Sequence, residues 1–130
     1  MRNTFFALVL MFVTFTAFKC QDNDDAISLE EDKKELATLK QTIETLANAS
    51  VCNENTECKF IAFGSKASGG PKSYLVYSTS IDVEKLEKLV ETYNQRDADF
   101  NKKYGVISDC AAVLPPLGLR CENNTCIAIY

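Results

Sequence analysis

The sequence predicts an α+β domain in which two amphipathic helices pack on a small antiparallel sheet, in the order α-β-β-α-β-β, stapled by disulfides. Three observations predict it. Two long segments repeat apolar residues at helical spacing, four short segments rich in aromatic and β-branched residues are punctuated by Gly, Pro and Asn, and the 130 residues include six cysteines.

The first helix is expected to start at Ser28, because Ser28-Leu29-Glu30-Glu31 reads as a capping box. Leu29, Leu36 and Ile43 recur every seven residues, with Leu39 and Leu46 offset by three, and the stripe runs to about Ala47 or Asn48. Glu30 and Lys34 add an i,i+4 pair. Three heptads are few for a coiled coil, so the stripe is expected to pack on the chain's own sheet.

Lys59 to Phe63 and Tyr74 to Thr79 read as a hairpin joined by a long Gly- and Ser-rich loop, Gly64 to Lys72. A second helix follows, capped by Asp82 or Ser80, with Val83, Leu86, Leu89, Val90, Tyr93, Phe100 and Tyr104 on one face. Lys102 and Lys103 in its last turn and Gly105 beyond it agree as stop signals. Val106-Ile107, Leu117 to Cys121 and Thr125 to Tyr130 read as short strands, interrupted by Pro115-Pro116, with Asn123-Asn124 turning the last hairpin.

Ahead of this domain, Arg2 and the uncharged run from Thr4 to Phe18 match the n-region and h-region of an export signal over residues 1–19, too short to span a membrane. Cys20 closes that run, and an acidic tract follows, which resembles the sorting tract after the lipidated cysteine of Bacteroidota-type lipoproteins. Lys19 departs from the small residue a lipobox uses, and cleavage after Ala17 would place bulky Phe15 three residues before the cut. The reading is lipidation at Cys20, an acidic tether over 20–26 and a single domain over 27–130, in the cell envelope and most simply at the outer membrane. Plain secretion, with Cys20 free or in an extra disulfide, is the alternative.

Removal of Arg2 and Lys19 lowers the 14 basic residues to 12 against 18 acidic ones, a net charge of about −6. With no basic patch, nucleic acid is not an expected partner. There is no histidine, which removes Ser-His-Asp and Cys-His catalytic arrangements. The carboxylates sit at solvating spacing on helix faces or in the tether, and no enzymatic activity is expected.

With Cys20 acylated, five cysteines remain: Cys52, Cys58, Cys110, Cys121 and Cys126. Proximity favours Cys52 with Cys58 and Cys121 with Cys126; the competing scheme joins the first pair to the second and closes longer loops, which stabilises more. Cys110 is the leftover thiol. A four-thiolate zinc site is not expected, since the ligand spacings are wide and an oxidising compartment converts paired thiols to disulfides. Neither metal nor cofactor is expected.

Gly64-Ser65-Lys66-Ala67-Ser68-Gly69-Gly70-Pro71-Lys72-Ser73 falls short of a phosphate loop, because Pro71 follows the second Gly and a strand rather than a helix comes next. It reads instead as a display loop on a hairpin. Pro116-Leu117-Gly118-Leu119 is similar to a collagenase-type cleavage peptide but is read as shaping the approach to the last hairpin. The sequons Asn48-Ala49-Ser50 and Asn123-Asn124-Thr125 matter only in a eukaryotic source.

Phe63-Gly64-Ser65-Lys66, Gly69-Gly70-Pro71, Tyr74-Leu75-Val76-Tyr77-Ser78, Tyr93-Asn94, Ser108-Asp109-Cys110, Pro115-Pro116 and the Cys121/Cys126 pair together resemble a family of small exported bacterial lipoproteins of unassigned function, over about residues 50–130. The resemblance implies a cysteine just before Gly-Gly-Pro, where this chain has Ser68. It further implies that Cys110 is the orphan of a lost disulfide.

The expected function is an envelope-anchored, non-enzymatic module that binds a protein or peptide through Lys66, Ser68, Gly69, Gly70, Pro71 and Lys72. A protease inhibitor presenting the Gly64–Lys72 loop is one alternative. A structural or accessory envelope protein that pairs through the Ser28–Ala47 helix is the other.

Overall fold

The computed structural model describes residues 22–130, so the expected leader and Cys20 lie outside the described residues. In chain order the elements are α1 (Asp22–Asn48), β1 (Cys58–Phe63), β2 (Ser73–Ser78), α2 (Val83–Lys103), β3 (Gly118–Glu122) and β4 (Thr125–Ile129). The expected α+β order is present, but the four strands form two separate two-stranded antiparallel sheets rather than one.

The first helix begins at Asp22, six residues before the expected cap, so the stretch from Asp22 to Ala26 is helical. Acidic residues in a first turn favour the helix by facing the positive end of its dipole. Ser28 therefore lies inside α1 and caps nothing: its hydroxyl sits 3.1 Å from the Tyr104 hydroxyl and accepts from Lys103 Nζ at 3.1 Å. Lys103 and Tyr104 also donate to Asp32 at 2.7 Å each, which ties the start of α1 to the end of α2. Further along, Arg96 pairs with Glu35, so the helices run antiparallel.

The apolar stripe of α1 is used within the domain. Ile43 and Ala47 join Phe63, Tyr77, Leu86, Val90 and Tyr93 in the buried core, and Leu36, Leu39 and Leu46 pack against it. Phe63 and Tyr93 stack with ring centroids 4.8 Å apart. Tyr77 is 2% exposed, and its hydroxyl leaves the core to donate to Glu87 at 2.8 Å. The fully buried Ile43, Leu86 and Val90 side chains each contribute about 1.5–3 kcal/mol by leaving water.

The local signals hold well in α2. Asp82 caps it by accepting from the Lys85 N–H at 3.0 Å. At its other end Gly105 takes φ +60° and the Val106 N–H reaches Asn101 O, the paired features of a Schellman stop. Beyond it Val106-Ile107 forms no strand. With Ile107 93% exposed and no facing strand, this β-branched pair has nothing to bury against. The last hairpin turns at Asn123 and Asn124, both at positive φ, as a two-residue type I′ turn requires.

Side chains alternate along β1, so Ile61 and Phe63 face the helices while Cys58 points to the opposite side. A disulfide joins Cys58 to Cys126, and another joins Cys52 to Cys121. The β3–β4 hairpin is thus stapled to the start of the first. The proximity pairing of Cys52 with Cys58 and Cys121 with Cys126 is not the one formed; the crosswise scheme, with the longer loops, is. Cys110 is free and exposed.

Candidate functional site

The Gly64–Lys72 loop is held at both ends by α2. Asn94 donates to Ala62 O at 2.9 Å and accepts the Gly64 N–H at 2.7 Å. One turn on, Asp97 accepts the Ser65 N–H at 2.8 Å and the Lys72 ammonium at 2.7 Å. Asn101 completes the row by donating to Ser65 O at 2.7 Å. These residues, spaced i, i+3 and i+7, share one helix face. Asp97 and Asn101 are buried, and a buried carboxylate demands such partners. Gly64 takes φ +76°, and a Cβ there would meet the Lys72 side chain at 3.0 Å, so the close approach of the two loop ends needs glycine.

The other side of the loop rests on the segment after α2. Lys66 donates to Asp109 and, at 2.7 Å, to Ala111 O. The Lys66 ammonium holds the Asp109 carboxyl below the usual carboxylate range. Ser68 donates its N–H to Ser108 Oγ at 2.9 Å and its hydroxyl to Asp109 O at 2.5 Å. Within the loop, Gly69 N–H bonds Lys66 O, Lys66 N–H bonds Gly70 O, and Lys72 N–H bonds Gly64 O.

Of the loop residues expected to make contacts, Lys66 and Lys72 already have ion-pair partners, and Pro71 is half-buried. Ala67, Ser68, Gly69 and Gly70 are exposed, with open space around both glycines. Asn94 entered the sequence reading only as part of the Tyr93-Asn94 pair, and Asp97 and Asn101 did not enter it, yet the three are what positions the loop. A signal existed: Asp97 lies four residues after Tyr93 and seven before Tyr104, on the stripe that is otherwise apolar.

In the segment after α2, Ile107 and Leu114 are 93% and 71% exposed, and Leu117 is 86% exposed before β3. A groove of about 220 Å³ between α1 and α2 is lined by Asp32, Glu35, Arg96 and Lys103 among others, and those four are already paired across it. The sulfurs of Cys52, Cys58 and Cys126 lie within 4.8 Å of one another, but all are bonded in disulfides. Among the described residues no helix is long and apolar enough to cross a membrane.

Fold and site together define a two-disulfide α+β domain that displays a braced loop. Comparison with protein families, curated proteins and solved structures returns no match.

Proposed function

We propose that this chain is a non-enzymatic lipoprotein of the bacterial envelope, anchored through Cys20, most simply in the outer membrane, that binds a protein or peptide through the Ala67–Gly70 tip. The observation that carries the binding reading is the bracing. Asn94, Asp97 and Asn101 fix the backbone at the loop's stem and Ser68 is fastened to Asp109 O, while Ala67 to Gly70 face solvent. A loop already ordered before binding avoids much of the entropy cost of association.

Protease inhibition is the sharper second reading, favoured by the same ordering. Against it, Ser68 rests on Ser108 and Asp109, so the loop leans on its neighbour instead of standing clear. The partner-helix reading finds no free apolar stripe on α1, because Leu36, Leu39, Ile43 and Leu46 pack within the domain. The two disulfides fit an oxidising compartment outside the cytoplasm.

Photo-crosslinking in the intact envelope tests the binding surface. A reactive residue at Ala67 is expected to capture a discrete protein, and the same probe at exposed Thr42 on α1 is not; capture at both positions or at neither sinks the proposal. Intact-mass analysis tests the anchor: a diacyl or triacyl mass on Cys20 is expected, and an unmodified Cys20 overturns it.

A further inference from the structure

We propose that the two disulfides form a thiol–disulfide exchange site, which takes an external thiolate at Cys121 and unstaples the second hairpin. The Cys52 sulfur, bonded to Cys121, lies within 4.8 Å of both sulfurs of the Cys58–Cys126 bridge. Cys52 is 1% exposed whereas Cys121 is exposed, so an incoming thiolate reaches the Cys121 end. Exchange depends on which sulfur is accessible and on the leaving thiol.

The steps balance. The incoming thiolate bonds Cys121 Sγ, the Cys52–Cys121 bond breaks, and Cys52 departs as a thiolate carrying the electron pair. Cys52 then attacks its neighbour Cys58, forming Cys52–Cys58 and expelling Cys126 as a thiolate. Cys126 is the direct register partner of Cys121, one pair in from the Asn123–Asn124 turn. In a two-residue hairpin that pair lies outside the ladder hydrogen bonds, where facing side chains come closest. Cys126 attacks Cys121, forms Cys121–Cys126 and releases the original thiolate. Two S–S bonds exist before and after, no oxidant or reductant is consumed, and the thiol acts as catalyst.

The product keeps each disulfide within its own end of the chain and frees β3–β4 from β1–β2. The folded domain holds the crosswise pairing, so the local pairing is the minor isomer of the isolated protein. The thiol class is open to small molecules and exposed protein cysteines alike, because Cys121 is exposed.

Two measurements test the site, both in a Cys110→Ser background that removes the internal free thiol. In the first, the folded protein is incubated with reduced glutathione, quenched with acid, alkylated and mapped without reduction. Peptides linked Cys52–Cys58 and Cys121–Cys126 are expected to rise about tenfold over the thiol-free control with no gain in alkylation. Native linkages alone, or glutathione on Cys121 with Cys52 alkylated, overturn the proposal. In the second, Cys121→Ser leaves Cys52 as a resident thiol beside the Cys58–Cys126 bridge. A mixture of Cys58–Cys126 and Cys52–Cys58 is expected, and Cys58–Cys126 alone contradicts it. If that variant does not fold, the glutathione experiment decides.

Discussion

Lys72 and Asp97 lie 2.7 Å apart across the stem of the display loop, joining its last residue to the middle of α2. The pair is unequal, since the Asp97 side chain is 4% exposed and that of Lys72 is 47% exposed. The carboxylate is therefore the expensive partner to lose. Asp97→Ala removes the acceptor for both the Ser65 N–H and the ammonium, and is expected to destabilise by about 2–3 kcal/mol. Lys72→Met, which leaves the Ser65 bond to the carboxylate, is expected to cost less. Urea midpoints of the two variants check the order.

The crosswise disulfides interleave along the chain, which makes their contributions unequal to a simple sum. Either bridge alone closes a long loop, with sequence separations of 69 and 68. With one in place, the second closes only the short path through both cysteine pairs. Chain entropy then gives about 3 kcal/mol for losing either bridge and about 7 kcal/mol for losing both. Cys58→Ser/Cys126→Ser is expected to fold and the four-serine variant to unfold, as read by circular dichroism.

Ser68 donates to Asp109 O, one residue from the free and exposed Cys110. A cysteine at residue 68 would therefore stand beside a free thiol. Ser68→Cys is expected to form a third disulfide with Cys110, so the variant is lighter by two hydrogens and takes up no alkylating agent. Two alkylated thiols would contradict this.

Alkaline pH should weaken the fold through two tyrosines. Burial, reinforced by the nearby Asp97 and Glu44 charges, pushes the Tyr93 hydroxyl up to about 12. Burial, then the Glu87 hydrogen bond, raises Tyr77 as well. The native state thus holds protons that the unfolded chain releases near 10. The stabilising contribution is complete below that value and is lost as pH rises through the native ones. Urea midpoints are expected to fall above pH 10, and less steeply in Tyr77→Phe.

Local structure was legible wherever a few adjacent residues decide it. Asp82 capped α2, Gly105 ended it, and Asn123-Asn124 turned the last hairpin, each through chemistry confined to one turn. Ser28 failed as a cap because Tyr104 and Lys103, more than 70 residues away, take its hydroxyl. The cysteine pairing was equally tertiary: Cys121 and Cys126 face each other in register, yet each bonds a residue of the first half. The loop was visible as a loop; the polar clamp under it looked like an ordinary solvated helix face until Asp97 proved buried.

Amide hydrogen exchange across Gly64–Lys72 tests the central claim, that the loop is a fixed display and not a slack connection. The account predicts slow exchange at Gly64, Ser65, Ser68 and Gly69, whose N–H groups are bonded, and loss of protection at Ser65 in Asp97→Ala. Exchange at free-chain rates through those residues in the unaltered protein would contradict it.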